Sequence, residues 1–392
     1  MPVEPSFGCR DFFPLLRPKV YVNHAAVSPP SVVVVDAVNK VLTDYATWGL
    51  EAVFPWADQR EELRGDISNL INAKPHEIGF IGNTTTGMIH VATCMQWKKG
   101  DRIVLLDGEF PSNVIPWQQA AERFALSIEF LATETFRLQP TQGLAALERF
   151  LQQGVRLVAV SAVQFQTGFQ MPLESIGFLC RKYNALLFVD GIQACGMVPL
   201  DMQKMHIDFL SCGSHKWLMG IEGCGFLFIR DAVLTELFPQ TAGWLSPENP
   251  FDFLTEGEGL LRYDKPFKSN ASFVEGGAVA VAGFAALSAS IKTLQKLGVL
   301  KIYEHVTSYL DELEAGLLHL GFQSLRRSHG LSGILSVIPP KKLPPSKVTS
   351  FFASLGIACS MPDGKLRFSP HWPNSTREIP LIVETCRSLF DK

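Results

Sequence analysis

Two apolar runs of strand length, each handing over to a charged residue, limit what this chain can fold into. Leu186-Leu187-Phe188-Val189 passes straight into Asp190-Gly191-Ile192-Gln193, and Phe209-Leu210-Ser211-Cys212 is followed by Gly213-Ser214-His215-Lys216-Trp217. Uninterrupted apolar runs of this kind read as strands buried on both faces of a sheet. In open α/β sheets ligands bind outside the carboxyl ends of the strands. An acid and a lysine delivered to that edge together predict a site for a ligand that needs both. Taken singly, Asp190 reads equally as an N-cap and Lys216 as a surface lysine. The pair, with its flanking residues, favours the site.

Strands and helices alternate around this stretch. Short strands are expected over residues 78–81, 102–106, 128–130, 157–161 and 226–229. Helices are expected over about 32–48, from Met88, and over 144–152. That alternation predicts an α/β fold with a mostly parallel, doubly wound central sheet. Residues 1–20 are Pro-rich and read as an irregular arm, and 243–272 as an irregular stretch lining the site. Beyond them come two long helices, 278–297 with Gly298 as its C-cap and 300–320 with its cap at Gly321. Short strands at 334–338, 357–360 and 366–369 and a closing helix at 376–390 complete a smaller α+β lobe. The expected organisation is an arm (1–20), a large domain (21–277) and an interdomain helix with a small C-terminal domain (278–392).

Bulk properties narrow the function. A chain of 392 residues with 47% hydrophobic and 19% charged residues is a well-buried globular protein. A net charge of −3 without a Lys/Arg cluster argues against nucleic acid as a partner. Eight cysteines show no CxxC or Cys/His metal spacing, so no metal is expected and the thiols read as reduced and mostly buried. The start of the chain lacks a basic, apolar leader, and no apolar run reaches membrane-spanning length. The expected location is the cytoplasm, without a membrane partner.

Gly82-Asn83-Thr84-Thr85-Thr86-Gly87 has the glycine spacing of a nucleotide loop, but Met88-Ile89 stands where Lys-Ser/Thr is required. A loop of hydroxyls and small residues before a helix still suits a phosphate, through free backbone N–H groups and the helix dipole. Pyridoxal phosphate joins these demands. Its aldehyde needs a lysine amine, its ring nitrogen needs a carboxylate and its phosphate needs such a cup. Lys216 and Asp190 are the candidates for the first two.

With Asp190-Gly191-Ile192-Gln193, Ser214-His215-Lys216-Trp217 and Gly223-Cys224-Gly225-Phe226-Leu227-Phe228-Ile229, the chain resembles the class V aminotransferase family from about Tyr21 to its C-terminus. The resemblance implies a fold-type-I pyridoxal-phosphate enzyme and a homodimer. It implies that Thr84, Thr85, His215 and the neighbouring Ser214 serve the cofactor phosphate, that Gln193 reaches the ring oxygen and that Phe110 stacks on the ring. Arg367, within Lys365-Leu366-Arg367-Phe368-Ser369-Pro370-His371, would fork onto the substrate carboxylate. Gln166 takes the place of the family's substrate-facing Asn, and Asn23 and His24 fall in the N-terminal substrate-pocket turn.

Four departures qualify that picture. Phe110 replaces the proton-moving His of desulfurases and cannot act as acid or base. Gly213 replaces a phosphate-binding Ser or Thr. Glu275-Gly276-Gly277 replaces the Gly-Thr that a partner subunit contributes. Cys359 is expected on a strand, so a persulfide mechanism is disfavoured. The reading is therefore an enzyme that acts on a small amino acid through an amine exchange and a Cα carbanion. Transamination or epimerisation is the first reading, and a C–S lyase without a catalytic Cys the alternative. A nicotinamide enzyme is disfavoured by the absence of a GxGxxG fingerprint after a strand.

Overall fold

The apolar runs form one seven-stranded sheet whose alternate side chains enter two separate cores. The structure, a computed structural model, describes residues 4–390. A short strand β1 (Val20–Tyr21) is followed by α1 (Val32–Trp48) and α2 (Val53–Leu70). The main sheet comprises β2 (Ile78–Ile81), β3 (Arg102–Leu106), β4 (Ser127–Leu131), β5 (Leu157–Ser161), β6 (Leu186–Asp190), β7 (Phe209–Gly213) and β8 (Gly225–Ile229). Their order is β2-β8-β7-β6-β5-β3-β4, and β8 alone runs against its neighbours. Val104, Val158, Val160, Leu187, Val189 and Leu210 face one core, while Ile103, Leu157, Ala159, Leu186, Phe188 and Phe209 face the other. This is the period of two that a strand imposes, in a sheet covered on both faces.

Beyond Val281–Leu297 and Val299–Leu318, β9 (Gln323–Ser324), β10 (Leu335–Ile338) and β12 (Leu366–Phe368) form a small antiparallel sheet, and β11 (Ile357–Ala358) pairs in parallel with β1. The chain just after β1 continues that pairing. His24 N–H donates to Ser369 O and Ala25 N–H to Ser369 Oγ. Residues 20–25 are thus hydrogen-bonded to the C-terminal segment.

Three local expectations need correction. The helix expected from Met88 begins four residues earlier, as α3 (Thr84–Cys94), because Asn83 Oδ1 accepts the Thr86 N–H at 2.9 Å and caps it. Thr84 and Thr85 therefore occupy a helical first turn rather than a loop. No α-helix follows Asp190. Its carboxylate accepts the Ile192 N–H at 3.0 Å, and a series of turns closes through Gly191 O. The stretch 243–272 does not line the Lys216 cavity of its own chain; it encloses a separate one of about 550 Å³.

Candidate active site

Four neighbouring parallel strands deliver their carboxyl ends to one place. The segment after β3 brings Phe110, β5 brings Ser161, β6 brings Asp190, and the segment after β7 brings His215 and Lys216. Ala25 and Ala26 arrive from the chain after β1, and Arg367 from β12. Together with Val163, Phe165, Ile192, Gln193 and Pro362 they enclose about 390 Å³. That volume suits a small cofactor and substrate.

Among the described residues Asp190, Lys216 and Arg367 have no oppositely charged partner within ion-pair distance, which burial normally demands. Asp190 is buried, and its carboxyl is raised to about 7, by burial first and also by Glu109, against the Ile192 N–H and Lys216. Lys216 is partly buried. Desolvation lowers its ammonium below the usual lysine range, Asp190 opposes the shift, and Arg367 adds to it. Among the described residues its Nζ has no hydrogen-bond or ion-pair partner and stands over the Phe110 ring, 5.7 Å from the centroid. Buried Arg367 holds Ser360 Oγ at 3.1 Å and Phe165 O at 2.8 Å but no carboxylate, and burial lowers it to about 10. A lone amine, a lone carboxyl and a lone guanidinium around one cavity fit an aldehyde-bearing pyridinium and a carboxylate-bearing substrate.

The remaining expected residues divide. Phe110 and His215 line the cavity, and Phe110 meets Phe165 edge-on at 5.2 Å. Gln193 lines it too, although its amide already donates to Ala25 O and accepts the Trp217 Nε1–H. Thr84 Oγ1 accepts the Gly213 N–H at 2.8 Å, tying α3 to β7. Thr85 Oγ1 pairs with Ser112 Oγ at 2.9 Å, and Thr85 lines a second cavity with Pro111 and Ser112. Gln166 stands by Lys365 Nζ, 3.5 Å away, outside the cavity wall.

Three candidates point elsewhere. Ser214 is fully buried and its hydroxyl donates to Ile221 O, so it is spent on its own turn. His24 is buried against Ser28, with Nδ1 2.7 Å from Ser28 Oγ, and is not part of the cavity wall. Asn23 is also absent from that wall; its Oδ1 is buried without a partner. Glu275, the residue that would repel a phosphate, instead meets Arg64 Nη1 at 2.7 Å and accepts the Phe80 N–H at 3.0 Å. Cys359 lies just beyond β11, outside the wall, and burial pushes its thiol up to about 12.

One residue without an assigned role emerges only in three dimensions. Glu109 is buried beneath the cavity, where Ser161 N–H, Ser161 Oγ and Gln164 Nε2 all donate to it, and burial raises its carboxyl. No pattern in the sequence separates it from a surface acid at the tip of a loop.

The family model described as Aminotransferase class-V matches residues 20–366. A probable cysteine desulfurase of Methanothermobacter thermautotrophicus is 28% identical over 397 residues, covering 96% of each chain. The uncharacterized aminotransferase YcbU of Bacillus subtilis is 22% identical, covering 96% of this chain and 95% of that protein. In fold, the chain is similar to the cystine C–S lyase C-DES in complex with its reaction product cysteine persulfide, with a TM-score of 0.87 and 24% identity, covering 95% of this chain and 98% of that one. It is likewise similar to the apo cysteine desulfurase of Thermococcus onnurineus, with a TM-score of 0.84 and 24% identity, covering 95% and 94%.

Proposed function

The chain belongs to the class V aminotransferase family, whose members depend on pyridoxal phosphate, and from that premise we propose that Lys216 is the cofactor lysine of an amino-acid transaminase. The observation that carries this reading is the unpartnered Lys216 amine, set in one cavity with buried Asp190 and buried Arg367. Bound there, pyridoxal phosphate supplies an aldehyde for amine exchange and a protonated ring that draws off electrons from a bond at the substrate α-carbon.

The chain's residues do the rest. Lys216 would hold the aldehyde and, once free, take the α-proton; burial and the nearby Arg367 lower its amine below the usual lysine range, so that it is more readily neutral. Asp190 would hold the ring nitrogen protonated, and the positive charge of that ring would offset the burial that raises its carboxyl. Arg367 orients the substrate through its carboxylate. Phe110 would cover the ring, and His215, with Thr84 and Thr85 in the first turn of α3, would serve the phosphate. Gln193 has one amide N–H left for the ring oxygen. Ser214, His24, Asn23 and Gln166 are given no direct part.

The reading is tested by the visible spectrum of the purified protein before and after a panel of amino acids that includes cysteine and cystine. The wild type should show a cofactor band that Lys216→Ala lacks, and an amino donor should convert it to a pyridoxamine-type spectrum. A protein that stays colourless with added pyridoxal phosphate would defeat the proposal. A second reading, C–S lyase, draws on the relatives named as desulfurases. With no thiol in the cavity wall it would have to release pyruvate and sulfide without a protein persulfide.

Two further points belong to this reading. The eight cysteines are free thiols, which supports a reducing, cytoplasmic setting. Among the described residues no helix is long and apolar enough to cross a membrane. Trp48, Leu50 and Phe54 stand exposed together around the α1–α2 connection, which supports a homodimer. Light scattering should then return twice the 43.3 kDa chain mass.

A further inference from the structure

Two buried residues outside the cavity wall, Ser28 and His371, hold the main chain around the lysine, and a third, His24, holds Ser28. Residues 214–218 form no regular element, so their carbonyls depend on partners from elsewhere. His215 O accepts the Ser28 N–H at 2.8 Å. Lys216 O accepts Ser28 Oγ–H at 2.6 Å, besides the Met219 N–H at 3.0 Å. Trp217 O accepts His371 Nε2 at 3.0 Å. Three successive carbonyls centred on Lys216 are thus held from both ends of the chain: Ser28 follows β1, and His371 follows β12.

The hydrogen bonds also fix both imidazoles. Ser28 gives its only hydroxyl proton to Lys216 O, so the 2.7 Å contact with His24 requires His24 to donate from Nδ1. His371 Nδ1 accepts the Trp372 N–H at 2.7 Å, so its proton sits on Nε2 and goes to Trp217 O. The two rings are buried edge to face, 5.3 Å apart. Burial holds both below the ordinary histidine range, which keeps each neutral and its tautomer single.

We propose that His24, Ser28 and His371 are positioning residues for Lys216, holding the backbone of residues 215–217 still so that only the lysine side chain moves as its amine is engaged and released. This rests on Lys216 being the reactive amine, as read above. Neither histidine lines the cavity; His371 acts through the Trp217 carbonyl and His24 through the Ser28 hydroxyl.

Two measurements on the full-length protein test it. The first uses the wild type: ¹⁵N-histidine NMR at neutral pH should show His24 protonated at Nδ1 only and His371 at Nε2 only. A charged ring, or the opposite tautomer at either position, overturns the clamp. The second is the pH midpoint of the cofactor band, a property that a purely structural role would not move. Ser28→Ala, His24→Leu and His371→Leu should each shift it by about 0.5 unit or more. His24→Asn and His371→Gln, which return an N–H at Nδ1 and Nε2 respectively, should bring it back. His24→Leu added to Ser28→Ala should shift it no further, because both act on one carbonyl. An unmoved midpoint in folded variants, or additive shifts, would refute the proposal. A wild type without any band would sink the cofactor reading instead, and the tautomers would still judge the clamp.

Discussion

Asp190 sits in the cavity with its carboxyl 3% exposed and, among the described residues, no cation within ion-pair distance. Its raised pKa has a definite sign. A carboxyl that binds its proton more tightly when folded stabilises the fold below the unfolded value near 4, and that stability is lost as pH rises through about 7. Cofactor-free Asp190→Asn should therefore be more stable than wild type at pH 8, on the order of 2–4 kcal/mol by urea unfolding, while losing catalysis. Equal stability at pH 8 would mean that the buried carboxylate carries no such penalty. Arg367 poses the complementary case, a buried guanidinium awaiting an anion. Arg367→Lys keeps the charge but loses the fork, and KM for the amino acid should rise about 10–100-fold with a smaller change in kcat. Asp190 was legible because it ends an apolar strand, and Arg367 because the run around it matches the family's motif. Glu109 was not, since only the fold reveals that Ser161 and Gln164 close over it.

At the scale of elements, the helix 32–48 and strands 78–81 and 102–106 agree with expectation to the residue, because hydrophobic period and flanking breakers are local signals. α2 carried no assignment. Its first turn holds Pro55, a position at which Pro is tolerated. Helix α3 illustrates how an element is fixed from outside. Ser211 Oγ donates to Thr84 O at 2.7 Å, and Gly87 packs flush on β7, where a Cβ would crowd Ser211 Oγ and approach Ile81 Cδ1 at 2.9 Å. Gly87→Ala should gain helix propensity and still destabilise the protein by about 1–3 kcal/mol, with the denaturant midpoint falling accordingly. A neutral or stabilising result would show that α3 can move off β7.

Across the whole molecule, segments from the two halves of the chain, 20–28 and 366–374, meet beside the Lys216 segment, and their buried histidines make folding sensitive to acid. His371 is lowered to about 4 by burial, with His305 adding and its bond to Trp217 O opposing; His24 is lowered by burial and by His371. A histidine depressed in the fold contributes stability that is present above its unfolded value near 6.5 and is lost as pH falls below it. His371 alone should cost about 2 kcal/mol of stability between pH 7 and 5, His24 should act in the same direction, and His371→Gln should flatten that part of the urea–pH profile. An unchanged slope in His371→Gln would assign the acid sensitivity to other groups.

The sequence alone determined which residues could do chemistry and on what class of sheet, because apolar period, strand length and the residue at each strand end are local properties. It did not determine which way several of those side chains turn. His24 and Ser214 sit beside the expected site in sequence, yet one reaches Ser28 and the other Ile221. Ser28 finds Lys216 across 188 residues, and Glu275 finds Arg64 across 211. A buried polar group is oriented by whichever partner relieves its desolvation, and that partner is chosen only when distant segments pack.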